Sequence, residues 1–160
     1  MVAVFAVGII NGVTQLRMGT TFWGGFTPFL VCAYLVDGLL VDTGNYKSRQ
    51  EFCEACDNRV GQVVITHHHE DHSGTGYHFA KRGVPVLAHP IGIPLLGGAK
   101  ACPLYRQLFW GKPPAFSAQP APESLDTEHY SFKLLRTPGH SPDHLCVYLE
   151  KEGWLLCPLP

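Results

Sequence analysis

Residues 66–72 read Thr-His-His-His-Glu-Asp-His and contain the pattern HxHxDH, in which His67, His69, Asp71 and His72 can all face one metal site. Imidazole is a good zinc ligand, and a zinc site needs three or four ligands held at about 2 Å. Histidines at i and i+2 point to one side only where the chain is extended. The run Val63-Val64-Ile65 supplies that strand, and its β-branched residues mark it as buried. His67 and His69 then emerge at the carboxyl end of the strand, where ligand sites in α/β sheets commonly sit. Asp71 and His72 follow at the turn into Ser73-Gly74-Thr75-Gly76, whose small residues allow a tight backbone and a helix start, so this pair faces a second position beside the first. A tag or an accidental histidine tract would lack both the interior position and this order after a buried strand.

Two further segments carry candidate residues. Thr137-Pro138-Gly139-His140-Ser141-Pro142-Asp143-His144 follows a strand-like Tyr130–Arg136 stretch and delivers His140 from a rigid turn. A third neutral imidazole would complete a three-histidine site with an open fourth position for water. Alone, TPGH is an ordinary turn; it gains meaning only beside HxHxDH. Leu39-Leu40-Val41-Asp42-Thr43-Gly44 reads as a buried strand ending in an acid and a glycine turn. Asp42 either orients a metal-ligating histidine through its free ring nitrogen or is a cap or turn acid.

Together, VDTG at 41–44, THHHEDHSG at 66–74 and TPGHSPDH at 137–144 resemble the metallo-β-lactamase-fold hydrolases, especially the branch similar to glyoxalase II. The resemblance covers most of the chain and implies an α/β fold, a metallo-β-lactamase-like αββα sandwich, as a single domain over 1–160. It also implies that His67, His69 and His140 bind a first zinc, that Asp71 and His72 bind a second, and that Asp42 supports the site from behind. In that family Trp154-Leu155-Leu156-Cys157 would lead into a Gly-Asp whose carboxylate bridges both metals. Here Cys157-Pro158-Leu159-Pro160 stands instead, and the later histidine of the second site is absent. The expectation is a sandwich incomplete in its carboxyl-terminal half with an open sheet edge, read as a truncated product, a fragment completed by a partner or a second copy of the chain, or a minimal variant with one zinc.

With 46% apolar residues, 16% charged residues and a formal net charge of −1, the chain offers no basic footprint for nucleic acid. The longest apolar stretches, near 29–36 and 39–41, are split by Asp37-Gly38, a hairpin signal, and are too short to span a membrane. The apolar opening Met1–Ile10 lacks a basic leader region and runs into Asn11-Gly12, which reads as a strand and not a signal peptide. The six cysteines are scattered, and without an export signal they are expected as reduced thiols of a cytoplasmic protein. Cys53 and Cys56 form a CxxC with no second pair; packing on a helix face accounts for them better than a zinc ribbon or redox role.

The elements expected to position these residues are strands near 3–18, 29–36, 39–42 and 62–66, a helix over 46–59, a short helix from Gly76 to Arg82, and a strand over 84–88 with a structural His89 at its end. In the Pro-, Gly- and Ala-rich stretch 91–128, Ala99–Trp110 reads as an amphipathic helix packed on the sheet, followed by a solvated proline-rich connector; a lid over the metal is the alternative. The chemistry expected is hydrolysis of a small-molecule ester, thioester or related bond. Zinc lowers the pKa of its water toward about 7. The resulting hydroxide attacks the carbonyl, and Asp71 either holds a second metal or accepts a proton. A phosphodiesterase or nuclease of the same superfamily, or a noncatalytic zinc-binding remnant, are the rival readings.

Overall fold

The first half of the molecule is set by two dipeptides. In Asn11-Gly12 and Asp37-Gly38 both residues take positive φ, 51° and 84° in the first pair and 47° and 80° in the second, the backbone of two-residue hairpin turns whose twist matches that of the flanking strands. The computed structural model describes residues 2–22, 25–99 and 102–157. In it Asn11-Gly12 joins β1 (Val2–Ile10) to β2 (Val13–Thr21), and Asp37-Gly38 joins β3 (Leu30–Val36) to β4 (Leu39–Val41). These four strands form an antiparallel meander. From β4 onward the sheet turns parallel, adding β5 (Gln62–Ile65), β6 (Val86–Ala88) and β7 (Gln119–Pro120) to complete seven strands in the order β1 to β7. A second, antiparallel sheet holds β8 (Ser124–Asp126), β9 (Ser131–Arg136), β10 (Leu145–Leu149) and β11 (Trp154–Leu156) in the order β11-β10-β9-β8.

Strands buried on both faces carry near-continuous apolar runs, and β4 and β5 show why. Leu40, Val63 and Ile65 pack with Leu16, Met18, Phe52 and Phe79 in a core beneath helices α1 (Arg49–Cys56) and α3 (Gly76–Lys81). Their alternate neighbours Leu39, Val41 and Val64 pack with Phe132, Val147 and Leu149 in a second core between the sheets. Each such fully buried side chain contributes about 1.5–3 kcal/mol relative to an exposed one. The layers are therefore helix, sheet, sheet, an α/β arrangement matching three of the four layers of the expected sandwich. On the far face of the second sheet Ser131, Lys133 and Leu135 are exposed. Among the described residues no helix is long and apolar enough to cross a membrane.

Several sequence expectations are refined. The helix expected over 46–59 is α1 flanked by two 3-10 turns, Tyr46–Ser48 and Asp57–Arg59, and Cys56 is buried in the helix-side core as packing predicts. The helix expected over Ala99–Trp110 begins at Leu104 as α4 (Leu104–Trp110), and positions 100 and 101 lie outside the described residues, as does the closing segment 158–160. The proline-rich connector holds β7 and β8, strands of two and three residues, too short for alternation to show. Pro120 is tolerated because β7 is the edge of its sheet. The expectation of reduced thiols fails at one pair: Cys146 and Cys157 are joined in a disulfide, because the pairing of Val147 with Leu156 sets them opposite each other with Cα atoms 4.8 Å apart.

Candidate metal centre

Three chain segments meet above the carboxyl ends of β4 and β5. The first leaves β4 at Asp42, a fully buried residue with φ 61°. That left-handed backbone is a conformation which Asp and Asn tolerate better than other side chains. It aims the Asp42 carboxylate across the strand end: Oδ1 accepts from the Thr66 amide at 2.7 Å, and Oδ2 accepts from the Thr66 hydroxyl at 2.8 Å and faces His72 Nδ1 at 2.8 Å. Asp42 therefore stands behind His72. The segment is laced to the second one by the Thr43 and Gly74 amides, which donate to the carbonyls of His72 (2.7 Å) and Gly44 (2.7 Å).

The second segment continues β5 through Thr66 into the short helix α2 (Glu70–Ser73). His69 is its cap residue in extended backbone, with no cap bond from its side chain. Ser73 Oγ donates to the carbonyls of His68 (3.2 Å) and His69 (2.9 Å), which fixes the turn. The third segment runs between β9 and β10. The Leu145 amide donates to the Thr66 carbonyl at 2.9 Å, and Asp143 accepts from the His68 amide at 2.9 Å while facing His68 Nδ1 at 3.0 Å. The Ser141 hydroxyl also donates to Asp143. These bonds seat the loop of His140 against the loop of His67 and His69.

His67, His69 and His140 come together with ligand nitrogens all within 4.8 Å of one another. His69 Nδ1 and His140 Nε2 lie 3.1 Å apart, and the ring centroids are separated by 4.7–5.0 Å. His67 is buried, and its Nε2 has no hydrogen-bond partner. A buried polar atom without a partner costs about 1–3 kcal/mol, so this nitrogen fits a group that supplies the missing bond. The electrostatics agree. Burial, then the neighbouring His72, His69, His140 and His144 rings, hold His67 well below the usual imidazole range. Burial, then Arg106, push His69 down to about 3. Both imidazoles are thus neutral, the form that binds a metal.

Asp71 and His72 sit beside this cluster without joining it. His72 Nε2 is likewise buried and unpartnered, with its ring centroid 4.2 Å from that of His67. Burial depresses the His72 pKa, but the Asp42 carboxylate outweighs it and the net shift is upward. Asp71 Oδ2 lies 3.7 Å from His72 Nε2, while its Oδ1 accepts from Arg106 Nη2 at 3.0 Å. Arg106 Nε also donates to Glu70 at 2.5 Å. Arg106 comes from α4 and carried no sequence signal. Asp143 was visible only as part of the TPGHSPDH turn; hydrogen bonds from His68 and Ser141 overcome burial and hold its pKa at about 2. His89 is not part of the three-histidine cluster and caps its own turn by accepting from the Ile91 amide at 3.2 Å. A cavity of about 440 Å³ flanks the motif, lined by His68, Glu70, Ser73, Leu96, Lys112 and Phe116 among others.

The chain is 31% identical over 120 residues to an atrochrysone carboxyl ACP thioesterase of Passalora fulva, which covers 72% of this chain and 31% of that protein. It is 28% identical over 118 residues to a hydroxyacylglutathione hydrolase of a Marinomonas species, covering 72% and 38%. The chain thus spans about a third of the length of these curated relatives. Among solved structures, BJP-1, a subclass B3 metallo-β-lactamase of Bradyrhizobium japonicum, superposes with a TM-score of 0.64 at 18% identity over 89% of this chain and 55% of that one, a likeness of fold. The profile of the metallo-β-lactamase superfamily, whose members bind divalent metals, matches residues 27–157, a span that holds all three site segments. With strand-borne histidines, a sheet-to-sheet core and that match in agreement, the chain belongs to the metallo-β-lactamase superfamily.

Proposed function

We propose that this chain is a metal-dependent hydrolase of esters or thioesters, with His67, His69 and His140 as the metal ligands and zinc as the metal. The observation that carries the reading is the convergence of three imidazoles on one position, with the buried Nε2 of His67 lacking any other partner. Three nitrogens leave a fourth position open, the arrangement of catalytic rather than structural zinc. When bound, the metal would acidify a water and polarise a carbonyl. The chain's own residues do the rest. Asp42 and Thr66 hold the two strand ends in register, and Asp143 fixes the His140 loop against His68. Asp71, with Oδ1 occupied by Arg106, keeps Oδ2 turned toward the site as a proton acceptor. The flanking cavity, with Leu96 and Phe116 in its wall, has the volume of a small-molecule pocket and would take the apolar part of an acyl substrate. Thioester chemistry is favoured because two of the relatives are a thioesterase and a hydroxyacylglutathione hydrolase.

The test combines elemental analysis with turnover of small acyl thioesters by the folded protein. About one zinc per chain is expected, lost in His67→Ala and His140→Ala together with hydrolysis. Undiminished hydrolysis by metal-free His67→Ala protein would refute the reading.

A further inference from the structure

Arg106 stands against the acids of α2, beside the three-histidine cluster. Its guanidinium spans two consecutive acids of α2, with Nε on Glu70 at 2.5 Å and Nη2 on Asp71 at 3.0 Å. The three side chains are 19%, 14% and 13% exposed, so water and salt screen the contacts poorly. An arginine stays charged at any biological pH and grips carboxylates through a rigid fork of donors. On the other side of Asp71 lies His72 Nε2, buried, without a hydrogen bond and 3.7 Å from Asp71 Oδ2. Asp71 and His72 therefore point donors at one place, yet among the described residues they belong to no cluster of three His, Cys, Asp or Glu ligand atoms.

We infer that Arg106 acts as a resident cation in place of a second metal ion: by neutralising Asp71 it weakens binding of a second divalent metal beside His72, and so limits the chain to one tightly held ion. This rests on the three-histidine site proposed above. Two physical effects act together. A divalent ion approaching Asp71 and His72 meets a fixed positive charge within a few ångströms, and the carboxylate that should attract it has one oxygen already engaged. Arg106 is thereby a positioning residue for Asp71, since it keeps Oδ2 as the oxygen left open to the site. Glu70 fixes the guanidinium by its second donor, which explains why two adjacent acids carry one arginine between them.

The experiment is a stepwise zinc titration of the full chain against a chromophoric chelator, with ions counted by native mass spectrometry and cobalt absorption spectra as a check on ligand geometry. Wild-type protein is expected to take one tight equivalent and a second only weakly. In Arg106→Met the second step should tighten by about tenfold or more and the first by a smaller factor, because the removed charge touches Asp71 directly and reaches the three-histidine site only through space, at His69. Arg106→Lys, which keeps a cation on a similar stem, should restore the weak second step. Glu70→Gln loosens the guanidinium without removing it and should fall between; it also serves where the methionine variant fails to fold. A second step identical in wild type, Arg106→Met and Glu70→Gln would overturn the inference while leaving the three-histidine site standing, as would a wild-type second step as tight as the first. Folded wild-type protein that takes no first ion would overturn both.

Discussion

Replacing Asp42 separates what that carboxylate does for the fold from what it does for His72. Asp42→Ala deletes the acceptor of three donors in a fully buried place. The Thr66 hydroxyl keeps one partner, as acceptor from His67 Nδ1 at 3.2 Å, which carries the ring proton when Nε2 is the ligand atom. The Thr66 amide and the His72 Nδ1 proton have none in place, and each orphaned donor costs about 1–3 kcal/mol. Alanine at φ 61° adds about 1–2 kcal/mol of backbone strain. The expected loss is about 5 kcal/mol, comparable to the whole stability of a small domain. Asp42→Asn keeps the volume, tolerates the left-handed backbone and still accepts from Thr66. Its amide NH2, however, faces His72 Nδ1 as a donor. His72 can answer only by becoming the acceptor, which moves its ring proton from Nδ1 to Nε2, the nitrogen turned toward Asp71. The asparagine variant should therefore lose only about 1–2 kcal/mol, yet show the reversed His72 tautomer. Urea denaturation measures the first quantity, and nitrogen-15 NMR of the histidine rings at alkaline pH, where His72 is neutral, reads the second. A loss below about 1 kcal/mol in Asp42→Ala, or a His72 proton still on Nδ1 in Asp42→Asn, would refute the reasoning.

The Asp37 turn ties the two sheets together through bonds from the Thr127 hydroxyl and from the amide and ring of His129, and these hold the Asp37 pKa down to about 2 while Asp37 raises that of His129. The Asp contribution is present above its ordinary value and lost as pH falls through about 2; the His contribution is present below its ordinary value and lost as pH rises through the raised one. Thermal melts across pH should thus show the largest gap between wild type and Asp37→Asn between the two ordinary values, and a gap independent of pH would refute the pairing. Gly74→Ala should destabilise the chain by about 2 kcal/mol or more, because a Cβ there would stand 2.5 Å from the Tyr46 amide nitrogen and 2.6 Å from the Gly44 carbonyl oxygen, neither of which can move alone. An unchanged urea midpoint in that variant would show that the Asp42 and His72 segments are not clamped there.

The parts of this molecule legible in its sequence are those where one local signal decides the outcome. Asp37-Gly38 marks its turn through backbone that few other residues adopt, and Val63-Val64-Ile65 marks a strand through burial on both faces; Asn11-Gly12 carries the same turn chemistry but splits the span 3–18, expected as strand, into the hairpin of β1 and β2. His67, His69 and His140 were legible because two short motifs each place their histidine beside a strand end. What was not legible depends on distant pairing. Arg106 reaches Glu70 and Asp71 across 36 and 35 positions from a helix whose sequence looks like ordinary packing. The Asp143 contact with His68 spans 75 positions. The disulfide arises from strand register, which no count of cysteines reveals. Strands β7 and β8 owe their existence to their neighbours and not to any periodicity of their own.

The change from hairpins to parallel crossovers at β4 has a kinetic side. Strands β1 and β2, like β3 and β4, close two-residue turns and can pair as soon as they meet, whereas His140 reaches His69 across 71 positions after two parallel crossovers and the second sheet have formed. Long-range closure of that kind comes late, since its entropy is lost before its contacts reward it. The three imidazoles are therefore expected to assemble late in folding, where interactions formed after the transition state govern how slowly a native chain comes apart and not how quickly it forms. The site belongs to the persistence of this protein more than to its birth.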